Sequence, residues 1–455
     1  MRLGLIEFQT GATTAAIPHY QQALKLQPRS YSAHYNLALA YLREHKLQDA
    51  RRELEYAVSL NSSQPDAVYD LGITLLELGE PALALNHLRH AKRLTPRSPD
   101  VAFNIVRAEL EAGNIAQARA EAQAAAKRFH SDFQWMAAIG QLFFKNKQAK
   151  DAASYLSQAN SLRPNQVEVS HQLVLAYLES GQPKEVLNIL KDAKTPDDYY
   201  LRASAYYMLH DFPKADQDSA IALERAPSDP KILVLRTRLL QRAGLQEDAL
   251  RMAQQAITLA PTWDEPYYLA GVSSYFIRLY EEAERNLARA VDLNPNSARA
   301  LFLQSIALGN LGRIDDSEHS LRRAIALQPA NARLHCHLGI LLARRNEGAA
   351  AQASFRKAIQ LKPDYALPHY QLGKLLVSEN QLRPAANELE RAIVHDPGLS
   401  AAYYQLGRLY ARLGESEKSK RLLSEFRKRN QQPELDSQSD EKALEEDARR
   451  ATQLP

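Results

Sequence analysis

Residues 332–365 read ARLHCHLGILLARRNEGAAAQASFRKAIQLKPDY, and residues 366–399 read ALPHYQLGKLLVSENQLRPAANELERAIVHDPGL. The two stretches align over 34 positions without a gap, so that Gly339 corresponds to Gly373 and Pro363 to Pro397. A period of 34 residues is the length of a helix–turn–helix repeat. Proline has no backbone N–H and clashes with the preceding helical turn, so one proline per period favours a helix end at each repeat.

The same spacing extends along most of the chain. Prolines one period apart are Pro227, Pro261, Pro295, Pro329, Pro363 and Pro397, and prolines two periods apart are Pro28, Pro96 and Pro164. If each repeat is numbered so that this proline is position 32, position 8 holds a small residue at Ala38, Gly72, Gly140, Ala203, Gly271, Gly339, Gly373 and Gly407. Small side chains let two antiparallel helices approach closely. Larger or polar residues stand there at Val106, Val174, Thr237 and Ser305, and we expect looser packing in those repeats.

This pattern resembles the tetratricopeptide-repeat family. Residues 34–41 (HYNLALAY) and 403–410 (YYQLGRLY) are close to the family consensus. The resemblance implies an all-α, right-handed superhelical solenoid of about twelve to thirteen helix–turn–helix repeats. Because Met1 falls at position 5 of a helix, the first repeat is expected to be partial, with the natural protein continuing upstream or starting earlier.

The repeat register also predicts the domain organisation. Residues 1–30 form the partial first repeat, 31–195 an N-terminal stack of about five repeats, and 196–430 a C-terminal stack of about seven. Residues 194–198 lack about five positions of the expected loop, which makes this place the candidate seam between the stacks. Residues 431–455 form a polar tail, interpreted as either a capping helix or a disordered segment.

Composition excludes several other classes of protein. The chain has 57 Lys and Arg against 53 Asp and Glu, so its net charge of +4 gives no general attraction to nucleic acid. A single cysteine, Cys336, rules out an internal disulfide. No apolar run is long enough for a membrane span or a signal peptide, and the expected location is cytoplasmic by default.

The sequence contains none of the motifs of a phosphate-binding loop, a serine hydrolase or a zinc protease. The group His335-Cys336-His337 suggests a metal site, but residues two apart on a helix point about 200° from each other. The two imidazoles therefore cannot converge on one ion. We expect no catalytic residue, no metal and no cofactor.

In the family, positions 2, 5, 6, 9, 12 and 13 of the first helix face a concave groove that holds peptides. Position 5 is aromatic in most repeats, and aromatic rings offer flat contact area at low entropic cost. Positions 2, 6, 9 and 13 supply polar and charged side chains. The candidate peptide contacts are Tyr35, Asn36, Tyr69, Asp70, Phe103, Asn104, Tyr268, Phe302, Arg333, Arg344, Tyr370, Gln371, Lys374, Tyr404, Gln405, Arg408 and Arg412.

Charge on these positions is polarised. In the first five full repeats carboxylates outnumber cations, with Asp66, Asp70, Glu77, Asp100, Glu111, Glu168 and Glu179 against Arg43, Arg107 and Lys145. In the last four repeats all the charges are cationic, at Arg299, Arg333, Arg344, Lys374, Arg408 and Arg412. We expect the C-terminal half to accept an acidic peptide or a C-terminal carboxylate. Simple solvation of these charges is the alternative, and the acidic stretch 434–447 could also occupy the groove as an autoinhibitor.

These observations predict a non-catalytic scaffold that binds extended protein segments. The alternative is a substrate-recruiting or regulatory region of a larger enzyme, or of a secretion or assembly system whose other domains lie outside this chain. Nucleic-acid binding is disfavoured, because helical repeats that read RNA use a regular side-chain code that these repeats lack.

Overall fold

The computed structural model describes residues 1–164 and 166–429; the predicted tail at 431–455 lies outside the described residues. The described part contains 26 α-helices and no strand. The predicted all-α repeat fold is thus confirmed. In chain order the helices are α1 (Arg2–Gln9), α2 (Thr13–Leu26), α3 (Tyr31–Arg43), α4 (Leu47–Leu60), α5 (Pro65–Glu77), α6 (Pro81–Leu94), α7 (Pro99–Glu111), α8 (Ile115–Ala126), α9 (Phe133–Lys145), α10 (Ala149–Leu162), α11 (Val167–Glu179), α12 (Pro183–Ile189), α13 (Pro196–Met208), α14 (Phe212–Arg225), α15 (Pro230–Arg242), α16 (Gln246–Leu259), α17 (Asp264–Phe276), α18 (Tyr280–Leu293), α19 (Ala298–Asn310), α20 (Ile314–Leu327), α21 (Ala332–Arg344), α22 (Gly348–Leu361), α23 (Ala366–Ser378), α24 (Leu382–His395), α25 (Ser400–Arg412) and α26 (Ser416–Arg429).

Odd-numbered helices are the first, or A, helices of the repeats, and even-numbered helices are the second, or B, helices. Residues 1–193 with 204–211 form one compact body, and residues 194–203 with 212–429 form another. Within each body a B helix packs against the A helix before it and against the next A helix. Neighbouring A helices also touch, as α5 does with α7 and α17 with α19. Helix α12 has only 7 residues, and residues 190–195 connect it to α13, so the positions missing from this repeat come from the helix and not from the loop as expected.

The closest approach of the two helices in a repeat lies at position 8, where the sequence places small residues. Opposite it stands a large side chain at position 24. A Cβ atom built on Gly140 would lie 2.6 Å from Cγ of Leu156, and one built on Gly373 would lie 2.7 Å from Cγ of Leu389. Because real Cβ contacts are longer than this, a side chain at these two glycines would require the opposing leucine to move.

In two of the four repeats with a larger residue at position 8, a smaller residue at position 24 fills the space, so the expected looser packing is not seen in them. Val106 and Thr237 are both fully buried. In their repeats position 24 is occupied by the small residues Ala122 and Ala253, which are also fully buried. The loss of volume at position 24 compensates for the gain at position 8, so the interhelical volume stays filled.

The turn from the A helix to the B helix is set at position 15, which has a positive φ angle in every full repeat. The values range from 56° at His45 to 82° at Gly244. Glycine adopts this left-handed conformation without strain, and asparagine tolerates it. Six full repeats nevertheless use a non-glycine residue here, including Lys147 and Arg278. The surrounding helix pair therefore imposes the turn.

In two repeats a buried histidine at position 4 joins three backbone segments. His369 Nδ1 lies 2.6 Å from Glu388 Oε2 on the B helix, and its Nε2 lies 3.1 Å from the carbonyl oxygen of Pro363. His34 makes the same two contacts with Glu53 and Pro28, at 2.6 and 2.9 Å. A carboxylate and a backbone carbonyl thus face the two ring nitrogens in both repeats. The hydrogen bond from His369 lowers the pKa of Glu388 below its ordinary value.

We expect the substitution Gly271→Ala to destabilise the chain by about 1–3 kcal/mol, because the added Cβ would lie 2.5 Å from Cγ of Leu287 and overpack the pair α17/α18. Gly309→Ala is the matched control, since its Cβ would meet no heavy atom within 3.4 Å. Alanine is the better helix former, so this control should be neutral or slightly stabilising. Urea midpoints followed by circular dichroism measure both, and an equal loss in the two variants would contradict the packing argument.

The His369–Glu388 pair predicts a pH dependence of stability. A carboxyl whose folded pKa is lowered stabilises the fold above its unfolded pKa of about 4.3, and that contribution disappears as the pH falls through the folded value. Glu388→Gln should therefore lose less stability than the wild type between about pH 5 and about pH 3. Glu417→Gln removes an exposed carboxylate and should keep the wild-type pH profile. Identical profiles for all three proteins would refute the assignment.

Candidate peptide-binding surface

We call the surface formed by positions 2, 5, 6, 9, 12 and 13 of the A helices the A-helix face, and describe it separately for each body. In the N-terminal body it carries a ladder of hydrogen bonds between successive repeats. Tyr35 Oη donates to Asp70 Oδ2 at 2.8 Å, and Asn104 Nδ2 donates to Tyr69 Oη at 2.9 Å. Position 5 of one repeat thus meets position 6 of the next.

The same pairing of positions occurs in the C-terminal body through ring packing. The ring of Phe302 meets that of His337 edge-to-face, with centroids 4.8 Å apart. Three aromatic side chains at position 5 of this body are too deeply buried to contact a peptide extensively. Tyr268 and Phe302 are 5% exposed, and Tyr370 is completely buried. They pack between repeats, so they present little surface to a ligand. Tyr35, Tyr69, Phe103 and Tyr404 are partly exposed.

Two carboxylates dominate the electrostatics of the first repeats. Burial raises the pKa of Asp70, and the nearby charge of Asp66 raises it further, although the hydrogen bond from Tyr35 acts in the opposite direction. Burial also raises the pKa of Tyr35, as do the charges of Asp70 and Asp66. Burial is the larger cause, and the contribution of Asp66 is that of a like charge beside it.

Two of the cations on this face are held by contacts within the chain. Arg107 Nη2 lies 2.9 Å from Glu77 Oε1, and its Nε lies 2.8 Å from Glu111 Oε1. Arg43 stacks on the ring of Phe8, 4.4 Å from the centroid, and donates to the Phe8 carbonyl oxygen at 2.8 Å. Asp66 and Asp100, by contrast, have no ion-pair partner among the described residues.

In the C-terminal body a nearly buried carboxylate is held by arginines from the repeats on either side. Glu265, at position 2 of its repeat, accepts from Arg238 Nη2 at 2.8 Å and also forms an ion pair with Arg299. The guanidinium of Arg299 lies over the ring of Tyr268, 4.3 Å from its centroid. Burial raises the pKa of Tyr268 to about 12. We name Arg238, Glu265, Arg299 and Tyr268 the carboxylate clamp.

Further along the same body the predicted cations occupy the A-helix face. Arg344, Arg408 and Arg412 are exposed, while Arg333, Lys374, Gln371 and Gln405 are partly exposed. Lys374 Nζ lies 5.6 Å from the ring centroid of Tyr370, and the guanidinium of Arg408 lies 5.5 Å from that of Tyr404. Arg412 reaches Asn380 Oδ1 at 3.4 Å. Asn36, on the face of the N-terminal body, donates to the carbonyl oxygen of Ser32 in its own helix.

The His335-Cys336-His337 group is dispersed over its helix. His335 Nε2 lies 2.9 Å from the carbonyl oxygen of Pro329, Cys336 is buried, and His337 packs on Phe302. Over residues 1–164 and 166–429, no three His, Cys, Asp or Glu side chains are placed to hold a metal ion. Among the helices of this same part, none is long and apolar enough to cross a membrane.

Comparison with known families agrees with the repeat register. A tetratricopeptide-repeat model matches residues 35–99, 103–166, 303–366 and 370–431, and a second TPR-repeat model matches residues 4–44. Together the matches cover more than half of the chain. The chain belongs to the tetratricopeptide-repeat family. Its fold is the TPR type of protein-interaction scaffold.

Among curated proteins, the TPR repeat-containing protein YpiA of Bacillus subtilis (strain 168) is 21% identical over 264 residues, which are 56% of this chain and 62% of that protein. The chain thus spans less than two thirds of the relative's length. Similar solved structures include the APC/C hetero-tetramer Cut9–Hcn1, with 14% identity, a TM-score of 0.48, and coverage of 90% of this chain and 89% of that one.

Yeast Tom70 is similar at 16% identity with a TM-score of 0.41, covering 93% of this chain and 95% of that one. YrrB, described as a TPR protein with an unusual peptide-binding site, is 21% identical with a TM-score of 0.34, covering 39% of this chain and 92% of that one.

Sequence reasoning did not select Arg238 or Glu265. A count of charges on one repeat at a time cannot reveal the clamp, because its cations come from the repeats before and after the carboxylate. The alignment did contain a usable signal: Glu265 and Arg299 both occupy position 2 in consecutive repeats, with opposite charge. Opposite charges at the same position of neighbouring repeats are the pattern to search for.

The clamp predicts chemical rescue. Glu265→Ala should lower the free energy of unfolding by about 2 kcal/mol, a value reduced because the two arginines are partly exposed. Acetate at about 0.1 M should recover part of the loss by placing a carboxylate between the arginines, whereas chloride at equal ionic strength should not. In the triple variant that combines Glu265→Ala with Arg238→Ala and Arg299→Ala, acetate should no longer recover any stability. Equal acetate effects on both variants would contradict the clamp.

Proposed function

We propose that the chain is a scaffold that binds acidic segments of partner proteins on the A-helix face of its C-terminal body. The observation that carries the proposal is the carboxylate clamp. Glu265 is a carboxylate of the chain itself, held on this face by charge-assisted hydrogen bonds from two arginines, one of which stacks on an aromatic ring. Such bonds are about twice as strong as neutral ones.

The distribution of charge supports the same ligand. Beyond the clamp, the A-helix face of the last three repeats carries Arg333, Arg344, Lys374, Arg408 and Arg412, and its positions 2, 5, 6, 9, 12 and 13 include no carboxylate. Arg344 is exposed and has no hydrogen bond or ion pair in the part of the chain that the structure describes. Charges of one sign on one surface steer an oppositely charged ligand and raise its association rate.

The glutamines add a means of holding the backbone of the ligand. Gln371 and Gln405 stand at position 6, partly exposed, three residues before the cations Lys374 and Arg408 at position 9. A side-chain amide both donates and accepts, so it can pair with a peptide group of an extended segment. Cations would then select acidic side chains while the amides fix the direction of the chain.

The test is binding of fluorescein-labelled 12-residue peptides, measured by fluorescence polarisation. A peptide rich in Glu and Asp should bind, and its Gln and Asn counterpart should bind at least about tenfold more weakly. The triple variant Arg344→Glu with Arg408→Glu and Arg412→Glu should bind the acidic peptide about tenfold or more weakly than the wild type, because three attractive charges become repulsive. Raising the salt concentration should weaken wild-type binding as well.

The matched control reverses three cations on exposed B-helix positions of the same body: Arg289→Glu with Arg323→Glu and Lys357→Glu. The change in net charge is identical, so a general electrostatic effect would weaken both variants equally. Such an equal loss, or no preference for the acidic peptide, would refute the proposed site. A pull-down from cell lysate with the two variants side by side would then identify the natural partner.

A further inference from the structure

One arginine on the A-helix face differs from the others at its repeat position. Position 13 is an arginine in four repeats, at Arg43, Arg242, Arg344 and Arg412. The guanidinium of Arg242 lies 3.8 Å from the ring centroid of Phe212. Arg412 reaches Asn380, and Arg43 stacks on a ring as described above. Arg344 is the exception, because it is exposed and has no hydrogen bond, ion pair or ring contact in the described part of the chain.

The contact at Arg43 shows how the chain can hold an arginine at this position. Its guanidinium lies 4.4 Å from the ring centroid of Phe8, which is position 12 of the preceding repeat, and donates to the Phe8 carbonyl oxygen at 2.8 Å. Position 13 of one repeat therefore meets position 12 of the repeat before it. The ring attracts the cation and the carbonyl takes one of its N–H groups, so less of this guanidinium is available to a ligand.

Arg344 meets a glycine in the same relation. Gly309 is position 12 of the preceding repeat, and a Cβ built on it would lie 3.8 Å from Arg344 Nη1. Position 12 is occupied in the other repeats by Phe8, Leu42, Leu76, Leu110, Phe144, Leu178, Tyr207, Gln241, Tyr275, Ala343, Val377 and Ala411. Gly309 is thus the one glycine in this row. The guanidinium of Arg344 rests beside bare helix backbone, in the place where Phe8 offers a ring to Arg43.

Packing does not require this glycine. The heavy atom nearest to its built Cβ is Ser317 Oγ at 3.6 Å, an ordinary contact, whereas every glycine at position 8 would place its Cβ within 3 Å of the opposing side chain. The turn after α19 does not require it either, because Gly312 has the positive φ angle there. Glycine is among the least favourable residues in a helix. A helical glycine without a role in packing or in a turn points to a functional reason.

We propose that Arg344 is the anchor for a carboxylate of the acidic segment, and that Gly309 is the positioning residue that keeps its guanidinium uncommitted. This inference rests on the proposed function, since the ligand is the same acidic segment. The other cations of this face each have a contact of their own within the chain, which a ligand must share or displace. Arg344 alone presents its full fork of N–H donors, which matches the two oxygens of a carboxylate.

The first measurement examines Arg344 in the absence of any ligand. The folded chain is treated with p-hydroxyphenylglyoxal, which modifies arginine side chains, and the extent of modification at each arginine is read by peptide mass spectrometry. Arg345 is the internal control, because it is also exposed but forms ion pairs with Asp315, Glu318 and Glu347. We expect Arg344 to react at least about fivefold faster than Arg345, since no carboxylate holds its guanidinium.

Gly309→Phe should slow the modification of Arg344 by about two- to fivefold, because the new ring reproduces the stack of Arg43 on Phe8. Phenylalanine also stands at position 12 in Phe144, so the repeat accommodates it there. Ala326→Phe is the matched control. It adds the same ring at an exposed position of α20, away from the A-helix face, and should leave the reactivity of Arg344 unchanged. Circular dichroism and urea midpoints verify that each variant is folded.

The second measurement is binding of the acidic 12-residue peptide, followed by fluorescence polarisation. Arg344→Ala should bind about five- to tenfold more weakly than the wild type, as expected for the loss of a charge-assisted hydrogen bond. Gly309→Phe should bind about two- to fivefold more weakly, through the competing ring. Gly309→Ala should lose less than Gly309→Phe, because a Cβ alone leaves the guanidinium in place. Ala326→Phe should bind as the wild type does.

A double variant separates positioning from a general loss of structure. If Gly309 acts only through Arg344, adding Gly309→Phe to Arg344→Ala should cause no further loss of binding. An equal loss from Gly309→Phe in the presence and absence of Arg344 would overturn the proposal. Equal reactivity of Arg344 and Arg345 would overturn it as well.

The two proposals can fail separately. A wild type with no preference for the acidic peptide would refute the proposed function and this inference together. A wild type that prefers the acidic peptide, while Arg344→Ala binds it equally well, would overturn only the anchor. In that case the proposed function would stand on the other cations of the face.

Discussion

The close contact between positions 8 and 24 is the constraint on which the rest of the structure depends. It fixes the distance between the two helices of a repeat, and therefore the spacing from one A helix to the next. In several repeats the two positions compensate in volume: glycine faces leucine or phenylalanine, while Val106 and Thr237 face alanine. Both overpacking and cavities cost stability, which accounts for this compensation.

Regular spacing of the A helices has a direct effect on the candidate binding surface. Residues at positions 5 and 6 of neighbouring repeats meet, so the ladder of Tyr35 with Asp70 and of Phe302 with His337 is a consequence of the repeat geometry. Side chains at these positions are partly buried between the repeats and therefore expose less surface to a ligand. Positions 2, 9 and 13 lie at the edges of this contact and keep their charged groups available, which explains why charge, more than aromatic area, distinguishes the two bodies.

The period of 34 residues and the small residues at position 8 were sufficient to predict the fold, because each reports a local steric requirement that recurs in every repeat. Burial of Tyr268 and Tyr370 could not be predicted in the same way, since it depends on the neighbouring repeat as well as on the helix that carries them. Similarly, the clamp around Glu265 joins three repeats, and no periodicity within one repeat encodes it. The positive φ angle at position 15 can be predicted in the repeats that carry glycine or asparagine there. It cannot be predicted at Lys147 or Arg278, which adopt this angle because of the surrounding packing.

The location of the clamp also bears on specificity. Glu265 is nearly buried and is held on both sides by arginines. Its carboxylate is therefore hydrogen-bonded to arginine instead of water, at one fixed site. The cations beyond it are more exposed, and exposed ion pairs contribute little stability individually. A ligand there would gain affinity only by engaging several cations at once along an extended segment, and its acidic residues would have to match the spacing of the repeats. Selectivity of the proposed surface therefore follows from the same distance between A helices that the contact at positions 8 and 24 sets.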